Sequence, residues 1–202
     1  MKYLKMLGLV AVAAAALMAF VGAGMASATV ICQNNLNTEK CSAPYPIGTK
    51  GKASLTESLK AVTTEGTVLD TCAGSVVEST LENAGSATTT VKSGVSTITW
   101  SSCTVTTTTL SGGFAELHHI AGTDNGTLTT FNTRVTINTG LFGSCVFTSG
   151  NGTDVGTTVG GNPGSLTLNT TFTKESGFCP NTIRITGKYI ATEPKNAWVA
   201  AG

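Results

Sequence analysis

The sequence predicts an all-β protein, an antiparallel β-sandwich or barrel of about ten short strands, disulfide-stapled and preceded by a signal peptide. Three observations carry that expectation. Thirty-seven of the 202 residues are Thr, and Thr and Val, with two heavy atoms on Cβ, sit well on a pleated surface. Apolar and polar residues alternate in short runs broken by Gly, Asn, Asp and Pro, the pattern of strands and turns. Six cysteines, an even number, follow an export-type leader, which reads as three disulfides.

The leader comes first in the chain. Lys2 and Lys5 give a positive start, Met6 to Gly24 carries no charge, and Ala26-Ser27-Ala28 supplies the small residues that a signal peptidase accepts. Cleavage after Ala28 would begin the mature protein at Thr29. The alternative is a retained membrane anchor, since the uncharged stretch nearly reaches bilayer thickness. Its Ala and Gly insert weakly, and no positively charged stop follows. The expected organisation is therefore a signal peptide over 1–28, an N-terminal appendage with Cys32 and Cys41 over 29–50, and a single β-sandwich-like domain over 51–202.

Beyond the leader the chain has ten Lys or Arg and eleven Asp or Glu, without runs of either sign. A nucleic-acid binder needs a basic footprint and a surface-anchored protein a polybasic segment; neither is present, so no nucleic acid and no membrane are expected as partners after signal cleavage. Large aliphatic and aromatic residues are few. A thin core needs bracing, and pairing neighbours along the chain gives Cys32–Cys41, Cys72–Cys103 and Cys145–Cys179, one of fifteen possible connectivities. No C-x-x-C pair exists to suggest zinc.

Individual strands follow from alternation. Ala53, Leu55, Leu59 and Ala61 alternate with polar neighbours. Val76–Leu81 follows Cys72, and Val95–Trp100 and Thr104–Leu110 flank Cys103. Phe114–Ile120 leads into Thr123-Asp124-Asn125-Gly126, a hairpin turn in which Asn and Gly tolerate positive φ; Leu128–Phe131 and Arg134–Thr139 form the return. Ser144–Thr148 reaches the Gly150-Asn151-Gly152 turn. Leu166, Leu168, Thr170 and Phe172 alternate with Thr167, Asn169, Thr171 and Thr173, and Ile183, Ile185 and Tyr189 with Arg184, Thr186 and Lys188. Trp198 and Val199 suggest a short closing strand.

Motifs that carry chemistry are scarce. There is no G-x-S-x-G elbow, no H-E-x-x-H helix and no phosphate loop, so no catalytic residue is assigned and no cofactor is expected. His118 and His119 would point to opposite faces of a strand and cannot share one metal. Glu57 and Glu116 are the carboxylates to inspect for a glycan hydrolase, which needs two. Asp124 and Asp154, in the two T-D-x-G-T turns, are the candidate metal ligands; calcium wants six to eight oxygens and each turn offers one carboxylate, so no metal is expected. Trp198, Tyr45 and Tyr189 are the candidate binding residues, as rings that stack on sugars. Trp100, three residues before Cys103, reads as core.

The leader, the Cys32/Cys41 pair, the Trp100-Ser101-Ser102-Cys103 corner and the Leu117–Asp124 stretch resemble small, uncharacterised, secreted β-rich proteins of actinomycete-type bacteria. That resemblance implies an exported β-protein and supplies no site residue. The expected function is a non-enzymatic binding or surface-associated module in the extracellular space, its ligand a cell-wall glycan or a protein. The alternatives are a carrier of a small apolar molecule in a cleft between sheets and a secreted glycan hydrolase with paired carboxylates.

Overall fold

The computed structural model describes residues 28–34, 41–140 and 143–202; the predicted signal peptide, apart from Ala28, lies outside them. Thirteen strands follow one another among the described residues: β1 Thr29–Cys32, β2 Lys50–Thr63, β3 Val68–Ser86, β4 Thr89–Cys103, β5 Thr106–Ser111, β6 Phe114–His119, β7 Gly126–Phe131, β8 Arg134–Asn138, β9 Ser144–Thr148, β10 Asn151–Val159, β11 Ser165–Ser176, β12 Thr182–Glu193 and β13 Trp198–Ala201. Pairings between neighbouring strands are antiparallel. No helix among the described residues is long and apolar enough to cross a membrane.

Of the two architectures expected, the chain takes the barrel. Strands run in the order β10-β7-β6-β4-β3-β2-β12-β11, and β10 pairs with β11 as well as with β7, closing eight strands into a ring. The remaining ribbon, β9-β8-β5, branches from the far end of β11. Ser165–Leu168 of β11 pair with β10, whereas Thr173–Ser176 pair with β9. β5 then lies beside the second half of β4, where Thr109 Oγ1 donates to the Ile98 carbonyl at 2.9 Å and receives the Trp100 indole N–H at 2.8 Å. The long strands are thus shared by two halves of the molecule, one closed by β6, β7 and β10 and the other covered by β5, β8 and β9.

Several strands are longer than their punctuation suggests: β3 has 19 residues, β4 15 and β2 14. Gly and Asn inside them sit at bulges and close crossings instead of turns. The β3–β4 register shifts between Leu81 and Asn83, and Gly85, at φ +78°, leaves room for the Thr29 carbonyl, which a Cβ would overlap. The return after Phe131 also differs from expectation. β7 pairs with β6 across the predicted turn, but β8 leaves for the other half of the molecule and pairs with β5 and β9. Asn132, at φ +58°, makes the crossing.

The half covered by β5, β8 and β9 is filled. Leu59, Val135, Ile137, Phe147, Phe172, Ile183 and Ile185 are all buried there, with Phe147 and Ile183 wholly inaccessible. Three disulfides brace the chain: Cys32–Cys41, Cys72–Cys103, a directly opposed pair on β3 and β4, and Cys145–Cys179. Such bridges belong to an oxidising, non-cytoplasmic environment.

The described parts of the expected appendage, 29–34 and 41–50, lie across the end of the barrel. β1 pairs with β13 over four residues, and a strap before β2 is hydrogen-bonded to Leu81 on both sides, from Gly48 N and to Thr49 O.

Candidate functional site

The other half of the molecule is not filled. Inside the closed ring lies a cavity of about 260 Å³. Its cause is visible in the inward-facing positions. Gly51 and Ala53 on β2, Ser79 on β3, Ser93 on β4 and Ala115 on β6 all line it, whereas the filled half is packed with Leu, Ile and Phe. An eight-stranded barrel has an interior just wide enough for side chains to fill or for one small ligand. With small side chains on four consecutive strands, this one stays open.

Larger apolar residues complete the wall: Val77, Leu81, Val91, Leu117, Leu128 and Leu166. Period-two alternation puts them inside. Leu81, Ser93, Ala115 and Thr130 form a single row across β3, β4, β6 and β7, each directly opposite the next, so all four point to the same face of the sheet.

Two tyrosines take part in the lining, in different places. Tyr189, 3% exposed, lines the wall, and its hydroxyl lies 3.0 Å from Ser75 Oγ. Burial holds this phenol above its ordinary pKa, an effect that the Ser75 hydrogen bond only partly offsets. At the capped end Ile31, Tyr45 and Val199 complete the lining. Tyr45 donates its hydroxyl to the Asn196 carbonyl at 2.7 Å, tying the N-terminal segment to the loop between β12 and β13. Its pKa too is raised by burial. Among the lining residues, Val159 and Glu193 are exposed to solvent and mark the rim.

Two charged residues, Lys52 and Glu193, belong to the lining, the second at its exposed rim. Lys52 pairs with Glu78 at 3.0 Å on the exposed side of β2 and β3. Three of the lining hydroxyls besides the tyrosines' have fixed partners or lie at the rim: Thr49 donates to the Pro46 carbonyl, Thr158 to the Gly126 carbonyl, and Ser165 begins β11.

The residues singled out in the sequence fall in several places. Tyr45 and Tyr189 both line the cavity, and Trp198, half-buried on β13, packs with Cys32 and Ala200 beside its cap. Asp124 and Asp154 do not converge on one site. The Asp124 carbonyl accepts the Val199 amide, and Asp154 Oδ1 accepts the Thr129 hydroxyl at 2.6 Å. His119 Nε2 lies 2.7 Å from the Thr123 carbonyl in its own hairpin. Glu57 is exposed opposite Lys188 on β12, while Glu116 sits on β6, with β3 and β4 between their strands. Asp70 approaches Cys72 and Cys103, yet those sulfurs are bonded to each other and offer no thiolate to a metal.

The inward glycines, alanines and serines are the residues that sequence reasoning passed over. Their signal was present, as small residues at the inward phase of alternating runs, but only barrel closure gives those positions a common interior. In comparisons with protein families, curated proteins and solved structures, nothing matches this chain.

Proposed function

We propose that the protein is an exported, non-enzymatic carrier that holds a small apolar molecule inside its barrel. One observation carries the reading: five small inward residues on four adjacent strands keep open a cavity whose remaining wall is mostly aliphatic. Proteins pack their interiors to crystal-like density, so an unfilled space of this size forgoes stabilising contacts unless something occupies it. A dry apolar cavity of about 150 Å³ accepts benzene. The 260 Å³ here suits a molecule of roughly two fused rings or a similar branched hydrocarbon.

The aromatic residues favour this interior site over a glycan platform on the surface. Tyr189 is buried, Tyr45 is tied to Asn196, and Trp198 packs beside the cap. Sugar stacking needs exposed ring faces. The three disulfides and the export-type leader favour work outside the cell.

The test is titration of the full oxidised chain with neutral hydrocarbons from benzene to naphthalene, followed by calorimetry and thermal melting. A ligand at 100 times Kd should stabilise by about 2.7 kcal/mol. Ala115→Leu and Ala53→Leu should fill the cavity and abolish the effect while preserving the fold. Absence of binding across the series, or binding unchanged in both filled variants, would refute the carrier.

A further inference from the structure

The cavity is apolar but not uniformly so, and its exceptions lie together. Ser79 and Ser93 line the wall from adjacent strands, and neither hydroxyl makes a hydrogen bond among the described residues. Ser93 stands opposite Leu81 and Ser79 opposite Val95, which makes the two serines diagonal neighbours on the inner face, with Cβ atoms about 7 Å apart or less. Gly51, directly across from Ser79, keeps that hydroxyl uncovered: a Cβ at residue 51 would come within 2.9 Å of Ser79 Oγ. Two places beyond Ser93 along the same inner row, Thr130 Oγ1 is buried without a hydrogen-bond partner. Buried hydroxyls are ordinarily satisfied, and each one that is not calls for an explanation.

Most other polar groups of the wall are already committed. Both tyrosine hydroxyls, Thr49 and Thr158 have protein partners, and Lys52 is held by Glu78. Among the described residues, Ser79 and Ser93 are left as unengaged hydroxyls on one wall, while Ser165, opposite the exposed Val159, and Glu193 lie at the rim.

Building on the carrier reading, we propose that the natural ligand is electrically neutral and carries one hydroxyl or carbonyl group, which Ser79 and Ser93 hold by hydrogen bonds while its apolar body fills the space beneath the cap. A serine hydroxyl both donates and accepts, so the wall serves either an alcohol or a ketone. A carboxylate or ammonium group held at the serines would lose its hydration there, with Lys52 paired to Glu78 and Glu193 out at the exposed rim, a cost that one or two neutral hydrogen bonds do not repay. The wall therefore selects by charge as well as by polarity.

The experiment uses the full oxidised chain and three probes of one shape: naphthalene, 2-naphthol and 2-naphthoate at neutral pH. The native protein should bind 2-naphthol about three- to tenfold more tightly than naphthalene, the gain expected from one net hydrogen bond. It should bind 2-naphthoate more weakly than either. In Ser79→Ala/Ser93→Ala the naphthol preference should vanish, the ratio of the two affinities falling to about one with naphthalene still bound. The single variants, Ser79→Ala and Ser93→Ala, keep the comparison available should the double variant fold poorly. Equal binding of naphthalene and 2-naphthol by the native chain would overturn the anchor and leave the carrier intact. A preference that survives in the serine variants, or tight binding of 2-naphthoate, would likewise overturn it. Binding of none of the three would instead remove the carrier itself.

Discussion

The carboxylate of Asp70 accepts the Thr107 hydroxyl at 2.5 Å, and this contact helps dock one end of the molecule. Asp70 is 2% exposed on β3. It also accepts the Thr104 hydroxyl at 2.9 Å and the Val105 amide at 3.2 Å. All three donors belong to the segment that turns out of β4 into β5, just after Cys103. This side chain therefore fixes the start of β5 next to the Cys72–Cys103 bridge, as Thr109 fixes its later part against β4.

Removing that acceptor should be costly, because three donors lose their partner in a buried place. Asp70→Ala should lower stability by about 3 kcal/mol or more. Asp70→Asn should also destabilise, since its amide would present a donor to donors. Denaturant midpoints at constant m-value would measure both. A loss below about 1 kcal/mol in the alanine variant would mean that water replaces the carboxylate.

Stability should fall in alkali because of Tyr189. Burial raises its folded-state pKa above the ordinary value of 10.0, so the unfolded chain gives up this proton first. The contribution is complete below about pH 10 and is lost as pH rises from there through the raised value. Unfolding free energy measured from pH 8 to 11 should turn downward near 10, and Tyr189→Phe should flatten part of that slope. Tyr45, raised in the same direction, should account for a further part, visible in Tyr45→Phe. Identical slopes in native and both variants would contradict the assignment.

The disulfides set the third expectation. Thiol labelling of the denatured, unreduced chain should find no free cysteine. Cys72→Ala/Cys103→Ala, which opens a loop with a sequence separation of 31, should lower stability by roughly 3–4 kcal/mol. One stoichiometric label, or a double variant as stable as the native chain, would refute this.

Much of the fold was legible locally. The alternation of Leu166, Leu168, Thr170 and Phe172 gave the inner face of β11, and that of Ile183, Ile185 and Tyr189 gave β12, because side chains on a strand alternate with a fixed period of two. The Thr123–Gly126 turn between β6 and β7 was equally readable. Length was not. Gly and Asn in β3 read as breaks, since the same conformational freedom that makes a turn also makes a bulge or a close crossing. Nor was partnership: the run Arg134–Asn138 is a strand as expected, yet it pairs with β5 and β9 because the chain crosses to the other half at Asn132.

The sequence by itself determined that this chain is all-β, which face of several strands is apolar, and that six cysteines are available for three bridges. These are properties of neighbouring residues and of composition, and they hold before any distant contact forms. Tertiary structure alone decided that Gly51, Ser79, Ser93 and Ala115 share an interior. They come from four strands spread over 65 residues of chain, and nothing local distinguishes a small residue facing a neighbour's bulk from one facing open space. The distinction appears only when β10 pairs with both β7 and β11. Closing the ring gives the inward side chains a volume that they are too small to fill.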